Sequence, residues 1–596
     1  MKASTLVPML VEKHLFDATV PKVSRSGDEK HDLEAASESP LEEYTAPNEE
    51  EVFALRKVAG RIPPVAYLIC FVEVAERASY YGVKGVFNNY MQFPLPAGGN
   101  GAGAVPKNKP NGHAGALDQG LQFASAMGLL FTFLSYTIPI FGAWLADAKI
   151  GRFRAIVVGV IIGGISHVIM IGGAAPSLLR AGKGLAPFMV SFILLAIGAG
   201  IFKPNVSPIL LDQYQHQKPY IKTLSSGERV VVDPETTVQR ICLYFYAFIN
   251  VGAFFAIACV YTEKYVGFWA AFLLPGIVYL LLPILLVFMN KRLIKQPPSG
   301  SDLPQFFKII GMAIKHNKYR LWGKNYWDVA KPSALGAKGI SVSWTDKDVV
   351  DVYRTLVACQ IFLYMPVWYM NDGGIGAVGS NQGAAMTTNG APNDLLAKLN
   401  PLTILIVTPI LGHGLYPLLR RYNIKFGRIS RITTGFLLAA VSGVIGAIIQ
   451  YRVYKTSPCG YAASTCDDVS LISIWWQLPN VTLGAISEVF VNVTGYELAY
   501  ARAPPRMKSI VVALFLFNTA LSVALSEILI PAIVDPHLIW VWAGPAIALF
   551  VQTAIFWWRH HDLNHDEFIV HEDEGNEVLT ERVRQVSLVV DTERKA

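Results

Sequence analysis

The chain has 596 residues, 52% hydrophobic and 16% charged, with mean hydropathy +0.37. Soluble chains carry ~25% charged residues, so this composition, with its repeated long apolar runs, describes a polytopic membrane protein. The net charge of +7 is spread over loops and tails, and no basic stripe with interleaved aromatics is present, which argues against a nucleic-acid partner.

Residues 1–60 are polar and in part acidic (DEKHDLEAASESPLEEYTAPNEEEV), a composition that predicts a disordered cytosolic tail. The opening residues lack the apolar core and small-residue cleavage site of a signal peptide, so the first transmembrane helix is expected to direct insertion. From about Pro64 to Tyr90 the chain reads PVAYLICFVEVAERASYYGVKGVFNNY, long enough for the ~20 residues that cross a bilayer. Glu73, Glu76, Arg77, Tyr80, Tyr81 and Lys84 share one face of this helix at about 100° per residue. A charge at the bilayer centre costs roughly 2.5–3.5 kcal/mol on insertion scales, so such a stripe needs partners or a water-filled cavity. It serves either a proton or substrate pathway, or structural ion pairs between helices.

Further apolar spans follow at 120–147, 153–174, 186–207, 239–262 and 267–290, then at 352–371, 400–419, 430–451, 472–500, 508–533 and 538–558. That makes about twelve spans. The expected organisation is an N-terminal six-helix bundle (61–290), a cytosolic connector (291–350), a C-terminal six-helix bundle (351–560) and a cytosolic tail (561–596). This all-α membrane architecture resembles the major facilitator fold; the two halves rest on span count, since no internal repeat is visible. Lys149, Arg152, Arg154, Arg420, Arg421, Arg428 and Arg431 fall in loops on one side and set it as cytosolic. Within the connector, Phe306, Phe307, Ile310 and Ile314 are expected to form one face of a helix. That helix lies either at the lipid interface or against the cytosolic face of the bundle.

Of six cysteines, Cys459 and Cys466 lie in a polar loop, SPCGYAASTCDD. An extracellular position predicts a disulfide between them, with two unpaired thiols as the alternative. No CxxC pair or His/Cys cluster suggests a metal or other cofactor.

Lys203 sits in an otherwise apolar helix, where a buried ammonium needs an acidic partner or loses its proton. Glu488 falls near the midplane of the tenth span. The buried charges then balance: Glu73, Glu76 and Glu488 against Arg77, Lys84 and Lys203.

Several motifs agree in order along both halves. Glu73-x-x-Glu76-Arg77, continued as AERASYYG, is similar to the ExxER signature of the proton-dependent oligopeptide transporter family. GAWLADAKIGR, GAGIFKPNVSPILLDQY around Lys203, FYAFINVGA and SEVFVNVTGYELAYARAPPRMKS resemble further signatures of that family, and the match is nearest to its fungal peptide transporters. The resemblance implies a proton-coupled symporter that imports di- and tripeptides across the plasma membrane by alternating access. It implies no enzymatic activity, a functional monomer, and protons, peptides and the lipid bilayer as partners. It implies proton coupling by Glu73, Glu76, Arg77 and Lys203. It implies peptide binding by Tyr81, Lys84, Tyr136, Tyr246, Asn250, Asn400, Glu488 and Asn492. Asp147 and Arg152 are expected to hold a gate state, with Asp372 as the seventh-helix carboxylate that pairs across to helix one. Two departures bear on substrate range: Phe515 stands where the family usually has Trp, and helix seven ends in the glycine-rich YMNDGGIGAVGSNQGAAM. Transport of nitrate or another small solute, and a nutrient receptor built on a transporter fold, are the alternatives; Glu488 opposes an anionic substrate, because a midplane acid repels it unless protonated.

Overall fold

The computed structural model describes residues 46–48, 51, 55–216, 218–298, 303–317, 326–336, 339–371, 374–422, 426–466, 468–495, 498 and 507–561. The first half contains α1 (Pro64–Gln92), α2 (Gly120–Leu145), α3 (Arg152–Gly173), α4 (Leu185–Asp212), α5 (Pro234–Ala253), α6 (Phe255–Tyr265), α7 (Phe268–Leu280) and α8 (Leu282–Met289). After the connector helix α9 (Leu303–His316), the second half contains α10 (Asp346–Cys359), α11 (Met365–Tyr369), α12 (Val378–Ala384), α13 (Asn400–Ile410), α14 (Tyr416–Arg421), α15 (Arg428–Thr456), α16 (Leu478–Glu488), α17 (Lys508–Glu527) and α18 (Leu538–His560). Seven described helical segments are long and apolar enough to cross a membrane. Of the other expected spans, α1 has the length, at 29 residues, but carries Glu73, Glu76, Arg77 and Lys84, while others are broken into consecutive short helices, as in α10–α11 and α13–α14. Bulky apolar side chains such as Ile161, Ile165, Val168, Ile284 and Val287 are exposed on the outside, as a lipid-facing surface requires.

Helix contacts within the first half depend on missing side chains. A Cβ on Gly142 of α2 would lie 2.8 Å from the Gly200 carbonyl of α4, and one on Gly159 of α3 would lie 2.8 Å from the Gly198 carbonyl. Without a hydrophobic driving force between helices in lipid, such small residues let backbones approach and pack. In the second half Phe436, Trp368, Phe556 and Met365 build the core.

Two small sheets lie outside the spans. At one end β2 (Tyr220–Thr223) and β3 (Arg229–Val232) form an antiparallel hairpin, and β1 (Lys57–Val58) pairs parallel with β3. The expected disordered tail is therefore corrected at its end. Backbone bonds join Val231 N–H to the Arg56 carbonyl and Asp233 N–H to the Val58 carbonyl, and Arg56 forks onto Glu228. At the opposite end β4 (Met386–Thr387) pairs with β5 (Ser470–Ser473), beside the bonded Cys459–Cys466 pair, whose Cα atoms are 5.9 Å apart.

The buried face of α9 is Phe306, Ile309 and Ala313, seated on Leu335, Trp344, Val349 and Ile510, while Phe307 is exposed. The expected face is thus rotated, and the helix packs on the end of the bundle that carries the β1–β3 sheet. A Thr345–Asp348 capping box starts α10.

Candidate functional site

The charged stripe of α1 lies inside the protein. Glu73, Glu76 and Arg77 are 4%, 1% and 7% exposed. Arg77 pairs with Glu73 at 2.9 Å and with Glu76, so one guanidinium holds two carboxylates. One oxygen, Glu73 Oε2, is buried with no hydrogen-bond partner. Lys203 comes from α4, just before Pro204, whose ring removes one hydrogen bond of the helix. Its Nζ sits 3.4 Å from the centre of the Tyr80 ring and 5.6 Å from that of Tyr136. The acidic partner expected for Lys203 is thus replaced at contact distance by an aromatic face, with Glu73 and Glu76 in electrostatic range. Arg77 and Lys84 also approach Tyr80, at 5.5 and 5.9 Å. Tyr80 is the hub of the three cations, a role its sequence context does not reveal.

The second half presents Glu488 at the end of α16. Its carboxylate accepts from Asn400 Nδ2 at 3.3 Å and from Asn492 Nδ2 at 3.4 Å. Asn492 lies in a π-helical turn, Val489–Val493, and its Oδ1 accepts from the Tyr369 hydroxyl at 2.9 Å. A π turn re-aims side chains within a helix and is frequent at functional sites. Glu488 is within electrostatic range of Tyr81 and Tyr136 of the first half. The structure therefore sets Glu73, Glu76, Arg77, Tyr81, Lys84, Tyr136 and Lys203 on one side and Asn400, Glu488 and Asn492 on the other. Asn250 is buried on α5. The side chain of Tyr246, and all of Asp372, lie outside the described residues.

A cavity of about 270 Å³ adjoins Asn400, lined by Asn88, Ser380, Lys398 and Asn480 and by the glycines that follow helix seven, Gly374, Gly376 and Gly379. The glycine-rich segment thus leaves space rather than filling it. Phe515 packs on Phe362, ring centres 5.5 Å apart, in the core of the second half. Lys398 lies within reach of the site because α13 begins two residues later; as a loop lysine it carries no such signal in the sequence.

Arg152 bridges two helix ends, reaching Asp147 at 3.0 Å and Asp212 at 3.3 Å. Asp212, at the end of α4, is the partner that sequence reasoning missed.

Described hydrogen bonds between the halves gather at the end that carries the β4–β5 pair. Asn89 bonds Asn393, Gln92 bonds Asn381, the Ala377 N–H donates to Ser125, and Lys264 donates to the Ala391 carbonyl. That end of the molecule is closed.

Known proteins bear directly on this arrangement. A family model described as PTR2, POT family, matches residues 153–544. The chain is 60% identical over 547 residues to the MFS-type transporter ucsM of Acremonium sp, covering 91% of each chain. It is 40% identical over 548 residues to the peptide transporter PTR2 of Candida albicans, covering 89% of this chain and 88% of that one. Its fold is similar to the crystal structure of the POT family transporter PepTSo, with a TM-score of 0.63 at 20% identity, covering 85% of this chain and 100% of that one. A fold of two helical halves around an internal charged site, with this similarity over most of its length, is that of a membrane transporter and not of an enzyme: the chain belongs to the POT family.

Proposed function

We propose that this protein is a proton-coupled symporter that imports di- and tripeptides across the plasma membrane as a monomer with both termini in the cytosol. The observation that carries the reading is the opposition of a cationic cluster, Arg77, Lys84 and Lys203, to a carboxylate, Glu488, held by two amides. A zwitterionic peptide needs that polarity. Its carboxylate meets the cations and its ammonium meets Glu488, while Tyr81, Tyr136, Tyr246, Asn250, Asn400 and Asn492 supply hydrogen bonds. The relative from Candida albicans is described as a peptide transporter, which supports the same substrate class.

Coupling follows from competition for Arg77. With both glutamates ionised, the guanidinium is held within α1. Protonation of Glu73 or Glu76 weakens that hold and frees Arg77 for the substrate carboxylate. Asp147 and Arg152, with Asp212, brace one gate state, and Asp372 pairs across to helix one in the other. One proton moving inward supplies ~2.3 kcal/mol per 100 mV and ~1.4 kcal/mol per pH unit. The sum, ~3.7 kcal/mol, supports several-hundred-fold accumulation of a neutral peptide.

The test is uptake of a labelled dipeptide into proteoliposomes with and without an inward proton gradient. Accumulation that requires the gradient and is competed by unlabelled dipeptide is expected. Gradient-driven uptake of nitrate without uptake of peptide overturns the substrate class. Glu76→Gln is expected to lose accumulation while retaining peptide exchange; full accumulation by this variant removes Glu76 from the coupling step.

A further inference from the structure

The closed outer seam contains two buried acids that the central site does not use. Glu263 of α6 is 0% exposed and Asp394, in the segment between β4 and α13, is 1% exposed. Asn89 of α1 donates to Glu263 Oε1 at 2.7 Å and to Asn393 Oδ1 at 2.9 Å. Asn393 Nδ2 donates to Asn89 Oδ1 and to Asp394 Oδ1, both at 2.8 Å. Two carboxyls, one from each half, thus flank an asparagine pair that bridges the halves. Among the described residues, their second oxygens, Glu263 Oε2 and Asp394 Oδ2, are buried with no hydrogen-bond partner.

The nearby cations are engaged elsewhere. Lys264 donates to the Pro110 carbonyl at 2.9 Å and the Ala391 carbonyl at 2.7 Å, with Thr388 Oγ1 at 3.4 Å. Lys398 lies in electrostatic range of both acids but lines the cavity, where it also opposes Lys84. Neither acid forms an ion pair among the described residues. The Cys259 thiol is near Glu263, and His113 stacks on Phe93 in the outer loop after α1, ring centres 3.8 Å apart. An ionised carboxylate accepts hydrogen bonds and cannot donate them. Lys264 and Lys398 attract these acids from a distance without pairing with them; two carboxylates buried together with no cation in contact are costly, and a proton on one relieves both the charge and the missing donor.

We propose that Glu263 and Asp394 form a second proton-binding site, a latch that closes the outer face when a proton from the external medium occupies it and releases that face when the proton leaves. The proton enters and returns on the outer side, so this site gates the cycle and does not drive it. The inference rests on the alternating-access reading above. Geometry and linkage agree in sign. Burial pushes Asp394 up to about 6, against the pull of Lys398. In the open state the acid meets water, with an ordinary value of ~3.9. The closed state therefore binds more protons: closure has its full proton-linked advantage below ~4 and loses it as pH rises through about 6.

The test uses full-length protein in lipid nanodiscs without substrate. Spin labels at Lys109→Cys, in the segment between α1 and α2, and Leu471→Cys, on β5, both exposed and on opposite halves, report the separation of those segments. From about pH 8 to about pH 5 the short-distance population is expected to grow, by at most about tenfold in closed-to-open ratio per pH unit and proton. Glu263→Gln and Asp394→Asn each replace a titrating acid by an amide of the same shape, and each is expected to hold the seam closed at high pH and flatten the profile. If one of the two does not fold, the other still decides. His113→Gln is expected to leave the profile unchanged. A wild-type profile in the folded amide variants, no pH response in the parent, or a response abolished by His113→Gln overturns the latch. Glu76→Gln separates this site from central coupling: lost accumulation with an intact seam profile is expected, and a seam profile that vanishes in Glu76→Gln overturns a separate site. A pH-responsive seam in a protein that takes up no dipeptide leaves the latch standing and removes the peptide reading.

Discussion

Among the described residues, Glu488 accepts from Asn400 and Asn492 at 3.3 and 3.4 Å, and amide donors of this kind suit a carboxylate that exchanges one partner for another. A charge-assisted bond to a peptide ammonium is worth ~1.5–3 kcal/mol. Glu488→Gln is therefore expected to weaken a free dipeptide by roughly ten- to a hundred-fold. An N-acetylated dipeptide has no ammonium and should change far less. Competition binding with both ligands on both proteins checks this, and equal weakening of the two removes Glu488 from amino-end recognition. Tyr80 carries a parallel expectation. Three cations lie within 5.9 Å of its ring, and a desolvated cation–π contact contributes ~2 kcal/mol. Tyr80→Leu is expected to reduce proton-driven uptake more than Tyr80→Phe, which keeps the ring; equal rates for the two in a transport assay deny the ring this role.

At the scale of elements, close backbone approach is what holds α2, α3 and α4 in place. A Cβ at Gly142 meets carbonyl and Cα atoms of α4 at 2.8 and 2.9 Å, neither of them a flexible side-chain end. Gly172, near the end of α3, has nothing within 4 Å of the same added atom. Forced overpacking costs typically ~1–3 kcal/mol, whereas Gly→Ala at an open helix position gains up to ~1 kcal/mol. Gly142→Ala is expected to lower the thermal midpoint of the purified protein by several degrees, and Gly172→Ala to leave it unchanged or raise it. A fluorescence melt of the two variants beside the parent decides the point.

For the molecule as a whole, the arrangement of sides ties several features together. The Cys459–Cys466 bridge, the β4–β5 pair and the Asn89–Asn393 seam all lie at the same end, opposite the sheet of β1, β2 and β3 and α9. In intact cells a membrane-impermeant thiol reagent is expected to label neither cysteine before reduction and both after it. Free alkylation of both without reduction denies the bridge and the outward orientation of that end.

The sequence by itself determined the class of molecule, because apolar runs of bilayer length and the low share of charge admit few alternatives. It also singled out the α1 stripe, since the 100° helical period brings Glu73, Glu76 and Arg77 together locally, without help from the rest of the fold. Only the tertiary structure decided the contacts made across helices. It put Lys203 on the face of Tyr80, brought Asp212 to Arg152, turned Phe306 rather than Phe307 inward, and buried Glu263 and Asp394 in one seam. Those pairs come from segments far apart in the chain, and an acid at a helix end reads as a solvated charge until the opposing half covers it.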